Sequence, residues 1–230
     1  MNKPLASFVC VTYKRPHLLN ELLYCFLVQD YENKELIIVN DEENVEYVYN
    51  DPRVKIVNLK KRFSSLSEKR NFSRALTSGE YMFITDDDDI YYSNHMSKLV
   101  MHHINNPEYD IVTNAKAHWS IHNVDIADWD IRVPFNGACI KDEYWLSNGF
   151  PNNNSCGEDY DFVKNAKVLF IKNDVATFHY RWGMEVQHIS GLGGDGQESY
   201  KIAGIINNIK HLRKITLTPI LSELTSKYYK

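Results

Sequence analysis

The chain has 230 residues, of which 43% are hydrophobic and 24% are charged, and its formal net charge is −4. These values are typical of an ordinary globular protein with enough apolar residues for a core. The net acidity argues against a protein that coats DNA through its overall charge, but it leaves room for local basic patches. The apolar runs are too short for a transmembrane helix, and the first residues lack the apolar core and cleavage site of a signal peptide.

The cysteines indicate a reducing environment. Cys10, Cys25, Cys139 and Cys156 are widely spaced and form no C-x-x-C pair. Such spacing is typical of free thiols rather than of a disulfide framework or a metal site. We therefore expect a soluble protein of the cytoplasm.

Strand and helix patterns alternate through the first half of the chain. Short apolar runs rich in β-branched residues predict buried strands, and apolar residues at helical spacing predict helices. This alternation favours an α/β fold with a mostly parallel sheet and helices on both of its faces. The predicted strands cover 5–12, 36–39, 54–59 and 81–85, and the predicted helices begin at Pro16 and cover 67–77.

The second half has a less regular pattern. The glycine-rich segment 183–198 is either a lid beside a site or a plain connection. From residue 199 onward the chain is predicted to be helical and basic. The other predicted helices cover 94–104, 142–147 and 158–166, and the other predicted strands cover 109–114, 133–140, 168–171 and 175–182.

Polar residues follow three of the predicted strands. Thr12 and Tyr13 end the first strand, Asn40 and Asp41 end the second, and the run 86–89 follows the fourth. Ligands of parallel sheets bind outside the carboxyl ends of the strands. We therefore expect these groups to converge on one crevice.

The run "DDDD" at 86–89 carries four adjacent carboxylates. Carboxylate oxygens are the ligands that Mg²⁺ and Mn²⁺ prefer, and these ions keep positions for a substrate phosphate. Two carboxylates one residue apart can share an ion, which suits Asp86 and Asp88. The alternative is a solvated acidic turn.

A second acidic stretch, "GEDYDF" at 157–162, lies at a predicted helix start. The helix dipole stabilises the ionised forms of Glu158 and Asp159 there. A carboxylate near a phosphate site can take a proton from an incoming hydroxyl. The alternative is helix capping.

Two histidines could complete a metal site from the C-terminal side. His188 leads into the glycine-rich segment and is the preferred candidate. His179 lies in an apolar strand, a context more typical of a packed residue. The neighbouring pair of Arg181 and Trp182 could stack on a sugar or hold a phosphate, although Trp182 could equally belong to the core.

Taken together, these motifs resemble the family 2 glycosyltransferases, which have the GT-A fold. The order and spacing of "SFVCVTYKRP", "ELIIVNDEEN", "EKRNFSRALTSGEYMFITDDDD" and "FNGACIKDEYWLSNGFPNNNSCGEDYDF" are similar to the family pattern over most of the chain. Asn40 stands where the family commonly has aspartate. The four-acid run leaves the register open by one residue, so Asp87 or Asp89 could hold a role assigned to a neighbour.

The resemblance implies a division of roles among these residues. The donor nucleotide would be bound at the first strand ends, the metal would bridge its diphosphate, and an acid would act as catalytic base. The assignments are Thr12, Tyr13, Asp41, Arg70 and Asp86 for the nucleotide, Asp86, Asp88 and His188 for the metal, Asp159 for the base, and Glu158, with Trp182 added from its own context, for the acceptor.

The same resemblance implies a GT-A domain over residues 1–198 and a C-terminal helical extension over 199–230. Residues 1–92 would bind the nucleotide sugar and residues 93–198 the acceptor. The C-terminal helices could also pair with a second copy.

The expected function is inverting, Mn²⁺- or Mg²⁺-dependent transfer of a sugar from a nucleotide donor, with UDP expected from the family. A saccharide or glycoconjugate is the expected acceptor. The basic runs at 60–62, 69–70 and 210–214 leave a second acceptor open, a hydroxymethylated base in DNA modified by a phage-type enzyme in the host cytoplasm. A third hypothesis is a nucleotide-sugar-binding protein without catalytic activity.

Overall fold

The computed structural model describes residues 3–121, 124–151, 157–172, 175–182 and 213–222. Within these ranges the chain forms strands and helices that alternate as the sequence predicts in its first half. The elements are β1 (Ala6–Thr12), α1 (Pro16–Leu27), β2 (Lys34–Asn40), β3 (Val45–Val48), β4 (Val54–Asn58), α2 (Leu66–Arg74), β5 (Tyr81–Ile84), β6 (Ile90–Tyr91), α3 (His95–Asn105), β7 (Ile111–Asn114), β8 (Lys116–Ile121), β9 (Val124–Asp130), β10 (Cys139–Lys141), α4 (Asp142–Asn148), α5 (Glu158–Val163), β11 (Val168–Ile171), β12 (Phe178–Trp182) and β13 (Arg213–Thr216).

A seven-stranded sheet in the order β11-β7-β10-β5-β1-β2-β4 forms the centre of the fold. Its strands are parallel to their neighbours except for β10, which is antiparallel to both β5 and β7. The predicted mostly parallel sheet is therefore confirmed. Because β1 lies between β2 and β5, the carboxyl ends of these three strands meet at one edge of the sheet.

Alternating residues of β1 face two separate hydrophobic clusters, as the pleat of a strand requires. On one face Phe8 is fully buried, with its ring centroid 5.5 Å from those of Phe83 and Tyr91 and 6.1 Å from that of Phe26 in α1. The residue after it, Val9, belongs to the cluster on the other face.

The second cluster fixes the start of α5 against the sheet. Phe162 of α5 stacks on Phe150 with a centroid distance of 4.4 Å, and Trp145 of α4 packs edge-on against both rings. Val9 of β1 and its register partner Ile84, the last residue of β5, belong to the same cluster. The predicted acidic helix start is thereby joined to the sheet that carries the other predicted site residues.

A smaller sheet in the order β6-β12-β8-β9 adjoins the acid run, and β3 pairs with β13 in a two-stranded ribbon. The sequence patterns do not predict β3, β6, β8 or β9. β6 has only two residues, and "VDIADWD" in β9 carries acids among its apolar residues, so neither shows a clear apolar period.

Two predictions are wrong in the described ranges. Arg213–Thr216 lies in the segment predicted to be helical, yet it forms β13, parallel to β3. The β-branched Ile215 and Thr216 suit a strand, and pairing with β3 satisfies the backbone. In the segment 133–140, only Cys139 and Ile140 belong to a strand, β10, which ends at Lys141. Pro134 and the positive φ of Gly137 (67°) interrupt pairing before it.

The described ranges contain no helix with the length and apolarity that spanning a membrane requires.

We expect Phe8→Ala to lower the free energy of unfolding by about 3–5 kcal/mol, because it leaves a cavity among aromatic rings in the core. Leu146→Ala is a suitable control, since Leu146 is 67% exposed and should change stability by less than about 0.5 kcal/mol. Urea unfolding followed by circular dichroism measures both. A cost below about 1 kcal/mol for Phe8→Ala would contradict this description of the core.

Candidate active site

The carboxyl ends of β1, β2 and β5 bring the predicted polar residues together. Thr12 Oγ1 donates to Asp87 Oδ2 at 2.6 Å. Lys69 Nζ donates to the carbonyl of Thr12 at 2.6 Å and to Asp41 Oδ1 at 2.5 Å. The three strand ends therefore form one connected polar cluster, as the alternation of elements led us to expect.

The acid run forms a cluster of oxygen ligands. Asp86, Asp88 and Asp89 each offer one carboxylate oxygen, and these oxygens all lie within 4.8 Å of one another. The side chain of Asp86 is 24% exposed and that of Asp88 is 8% exposed, whereas Asp87 and Asp89 are fully buried. An all-oxygen set of this kind suits Mg²⁺ or Mn²⁺. The alternative of a solvated acidic turn is wrong, because three of the four acids are buried.

Arginines already neutralise part of this charge. The Arg15 guanidinium bridges two acids, with Nη2 at 2.5 Å from Asp87 Oδ1 and Nη1 at 2.9 Å from Asp88 Oδ2. Arg70 Nη2 lies 3.4 Å from Asp86 Oδ1. Burial would lower the pKa of Arg15, but the carboxylates of Asp87 and Asp88 raise it overall, so this side chain stays charged.

The buried acids have raised pKa values. Burial raises the pKa of Asp87 to about 6, although Arg15 opposes the shift. Burial also raises the pKa of Asp89 well above its ordinary value, and the charges of Asp88 and Asp86 add to the effect. The cluster is therefore electrostatically unfavourable in its fully ionised form, and a further cation would relieve the repulsion.

A buried ion pair between Arg181 and Glu21 contacts the acid run from β12. Arg181 Nη1 donates to Glu21 Oε2 of α1 at 2.7 Å, and its Nε donates to the carbonyl of Asp88. The backbone N–H of Arg181 donates to Asp89 Oδ1 at 2.9 Å. Because this guanidinium is fully buried, the suggestion that Arg181 holds a phosphate or stacks on a sugar is wrong.

The end of β2 contains an ordered hydrogen-bond acceptor. Asp41 is buried, and its Oδ2 accepts from the backbone N–H of Phe63 at 3.1 Å while its Oδ1 accepts from Lys69. Burial lowers the pKa of Lys69 despite the carboxylate beside it. Tyr13 follows Thr12 in the chain, and the Arg62 guanidinium lies 4.0 Å from its ring centroid.

Arg70 connects the acid run to α5. Its Nη1 donates to Glu158 Oε1 at 2.5 Å, and its guanidinium lies 4.6 Å from the ring centroid of Phe135. The next residue, Asp159, is half-buried, and its Oδ1 accepts from the N–H of Tyr160 at 2.7 Å. Asp159 thus makes a local helix-start contact, while Glu158 is connected through Arg70 to Asp86 of the acid run.

Of the two candidate histidines, the structure describes only His179. His188 lies outside the described residues. His179 is fully buried in β12, where its Nε2 hydrogen-bonds to Ser120 Oγ at 2.7 Å. Burial lowers the pKa of His179 to about 3, and Arg181 and His118 add to the shift. These features are those of a packed neutral histidine.

Trp182 lies half-buried at the end of β12. Its ring centroid is 6.3 Å from that of Trp119, and Trp129 stacks on Tyr180 at 5.1 Å nearby. The strand register places these four rings on one face of the small sheet. Trp129 is 44% exposed, so part of this aromatic face is accessible.

Several contributing residues were not predicted. Asn136 Nδ2 donates to Asp86 Oδ2 at 2.7 Å and to Asp89 Oδ2 at 3.1 Å. Arg15 follows β1 within three residues of Thr12, so its position at a strand end was the signal that could have identified it. Neither Asn136 nor Glu21 lies in a recognisable local pattern, because tertiary packing alone brings them to the acids.

Comparison with known proteins decides the family. The sequence pattern of glycosyl transferase family 2 matches residues 7–128, which is more than half of the chain. The chain belongs to glycosyl transferase family 2. A protein of Escherichia coli K12 named as a colanic acid biosynthesis glycosyl transferase, WcaA, is 35% identical to this family member over 108 residues, which is 44% of this chain. The aligned region spans only 38% of WcaA.

Solved structures of glycosyltransferases share the fold. The TarS fragment 1–349 of S. aureus, in complex with UDP-GlcNAc, superposes with a TM-score of 0.63 at 16% identity, covering 87% of this chain and 66% of TarS 1–349. The mannosyltransferase PcManGT of Pyrobaculum calidifontis, in complex with GDP-Man and Mn²⁺, superposes with a TM-score of 0.55 at 16% identity, covering 75% of this chain and 56% of PcManGT. The predicted GT-A fold is therefore confirmed for this family 2 member.

We expect His179 to make stability fall as the solution is acidified from pH 7 to pH 5. The unfolded histidine binds a proton near pH 6.5, whereas the buried one resists protonation until about pH 3, so the unfolded state takes up more protons in this window. The loss due to His179 should be about 2 kcal/mol at pH 5.

Urea unfolding at both pH values, compared with His179→Gln, measures this contribution. The variant should lose about 2 kcal/mol less than the wild type between pH 7 and pH 5. The same loss in both proteins would show that His179 is not a buried neutral histidine.

Proposed function

We propose that this protein transfers a sugar from a nucleotide-sugar donor to a hydroxyl acceptor, with a divalent metal ion at the acid run. The observation that carries this proposal is the cluster of Asp86, Asp88 and Asp89 oxygens within 4.8 Å at the carboxyl end of β5. Membership of glycosyl transferase family 2 supports the reaction class. The Mn²⁺ bound with GDP-Man in PcManGT supports the metal.

The donor is proposed to lie across the ends of β1 and β2. Asp41 is an ordered acceptor for a base N–H, because Lys69 and the N–H of Phe63 fix both of its oxygens. Uracil carries such an N–H, as guanine does. UDP is the proposed nucleotide, and the UDP-GlcNAc bound to TarS supports this choice. Thr12, Tyr13 and Arg70 are proposed to contact the rest of the nucleotide.

The metal would be held by Asp86 and Asp88, with Asp89 as a further oxygen ligand and His188 as a proposed ligand from outside the described residues. When bound, the ion would neutralise charge that develops on the leaving diphosphate. Arg70 already contacts Asp86 at the same place. Its guanidinium therefore adds a fixed positive charge beside the proposed diphosphate position.

Asp159 is proposed as the catalytic base. Its neighbour Glu158 is connected through Arg70 to Asp86 of the acid run, and this connection supports a role for the start of α5 beside the donor. Asp159 is half-buried, so a hydroxyl can reach it from solvent. Asp159 would take the proton of the acceptor hydroxyl while the hydroxyl oxygen attacks the anomeric carbon from the face opposite the nucleoside diphosphate. The bond from the anomeric carbon to the diphosphate breaks as the new bond forms, so the configuration inverts.

A saccharide or glycoconjugate is the proposed acceptor. The aromatic face that includes Trp182 and the partly exposed Trp129 offers flat apolar surfaces of the kind on which sugar rings pack. One of the basic runs that suggested a DNA acceptor is not on the surface. Lys69 and Arg70 are buried and paired with Asp41 and Glu158, so they are not available to DNA phosphates. The cytoplasm is the proposed location, which the buried free thiols of Cys10, Cys25 and Cys139 support.

We expect Asp159→Asn to reduce sugar transfer by about 10²- to 10⁴-fold, the usual contribution of a general base. Binding of UDP, measured by calorimetry, should not change. Asp161→Asn is the matched control, because Asp161 lies in the same helix but pairs with Lys164. Wild-type transfer rates in Asp159→Asn would show that another group is the base.

We expect UDP to raise the melting temperature only when Mn²⁺ is present, and Asp88→Asn to abolish this shift. The reason is that the ion neutralises both the carboxylates of the acid run and the diphosphate, so UDP binds there only together with the ion. Asp51→Asn, at an ion pair on the β4 side, is the control. Equal stabilisation by UDP in Mn²⁺ and in EDTA would contradict a metal-dependent donor site.

A further inference from the structure

We infer that Arg15 couples binding of the divalent ion to binding of the donor diphosphate, by giving up its contact with Asp88 when the ion arrives. This inference rests on the proposed metal and donor site. It assigns Arg15 the role of a positioning residue, since in this structure the guanidinium contacts the acids rather than a substrate.

The contact of Arg15 is divided between two acids with different surroundings. One guanidinium nitrogen pairs with Asp87 at 2.5 Å and another with Asp88 at 2.9 Å. If both nitrogens contacted a single carboxylate, in a bidentate pair, the two hydrogen bonds would break together. Here each nitrogen has its own carboxylate, so one contact can break while the other persists.

The two contacts are not equally exchangeable. Asp87 is fully buried, accepts from Thr12 Oγ1 at 2.6 Å and lies outside the ligand cluster, so its pairing with Arg15 is structural. Asp88 belongs to the ligand cluster. An arginine and a divalent ion at the same carboxylate repel each other strongly in a poorly solvated site. Binding of the ion therefore competes with the contact between Arg15 and Asp88.

Arg15 has hydrogen-bonding capacity to spare. Its Nε–H is buried and has no acceptor among the residues that the structure describes. A buried N–H without an acceptor is costly, and an anionic oxygen that reaches it makes a strong charge-assisted bond. The diphosphate of the donor supplies such oxygens. The guanidinium therefore exchanges Asp88 for a phosphate oxygen, which makes ion and nucleotide binding mutually favourable.

A purely structural role predicts the opposite sign for metal affinity. If Arg15 only held the acids in place, its removal would loosen the cluster and weaken ion binding. If it competes with the ion, its removal exposes Asp88 and strengthens ion binding in the absence of nucleotide. The sign of one affinity change therefore separates the two roles.

The experiment titrates Mn²⁺ into the full chain, with and without UDP, and follows free Mn²⁺ by electron paramagnetic resonance. In the wild type, UDP should tighten Mn²⁺ binding. In Arg15→Gln, Mn²⁺ without UDP should bind about 5- to 10-fold more tightly than in the wild type, and the tightening by UDP should shrink by the same factor. Unchanged or weaker binding in Arg15→Gln would overturn the inference.

Arg53→Gln is the matched control, because Arg53 also forms an arginine–aspartate pair, with Asp51, on a different strand connection. It should leave both titrations unchanged. If Arg15→Gln does not fold, Arg15→Lys replaces it, since lysine keeps the charge but cannot span both carboxylates; it should also bind Mn²⁺ more tightly than the wild type, and equal or weaker binding overturns the inference. A wild type that binds no Mn²⁺ even with UDP would instead count against the proposed function.

Discussion

Repulsion among four consecutive carboxylates at the end of β5 is the constraint on which the rest of this site depends. Three of these acids are buried, where like charges are costly unless each has a partner. The partners come from every side: Arg15 from the start of α1, Arg70 from α2, Asn136 from the loop before β10, and the backbone of Arg181 from β12. The contacts that neutralise the acid run therefore connect the central sheet to the small sheet and to the surrounding helices.

Two adjacent residues of α2 connect the polar cluster in two directions. Lys69 pairs with Asp41 at the end of β2, whereas Arg70 pairs with Glu158 at the start of α5. Successive helix positions point about 100° apart, so one short helix can serve both directions. A nucleotide sugar laid across the strand ends would contact both sides at once. This arrangement supports one site that contains both the proposed proton acceptor, Asp159, and the proposed contact to the nucleobase, Asp41.

The parts of the fold that repeat a local pattern were predictable from sequence. Apart from β3, the strand and helix order from β1 to β5 follows from apolar runs and from Pro16. The convergence of Thr12, Asp41 and the acids follows from the rule for parallel strand ends. The parts that depend on distant packing were not. Nothing near Glu21 indicates that it pairs with Arg181, which is 160 residues away. The sequence predicts helix where β13 forms, because the pairing partner β3 lies far earlier in the chain. The roles of Asp159 and His188 remain predictions.

The central claim is that the acid run and a nucleotide diphosphate together hold one divalent ion. The most direct test is a crystal structure of the full chain with UDP and Mn²⁺, in which anomalous scattering at the manganese edge locates the ion. We predict a single strong peak between the diphosphate and the carboxylates of Asp86 and Asp88. Bound UDP with no anomalous peak at these acids, or with a peak coordinated elsewhere, would contradict it.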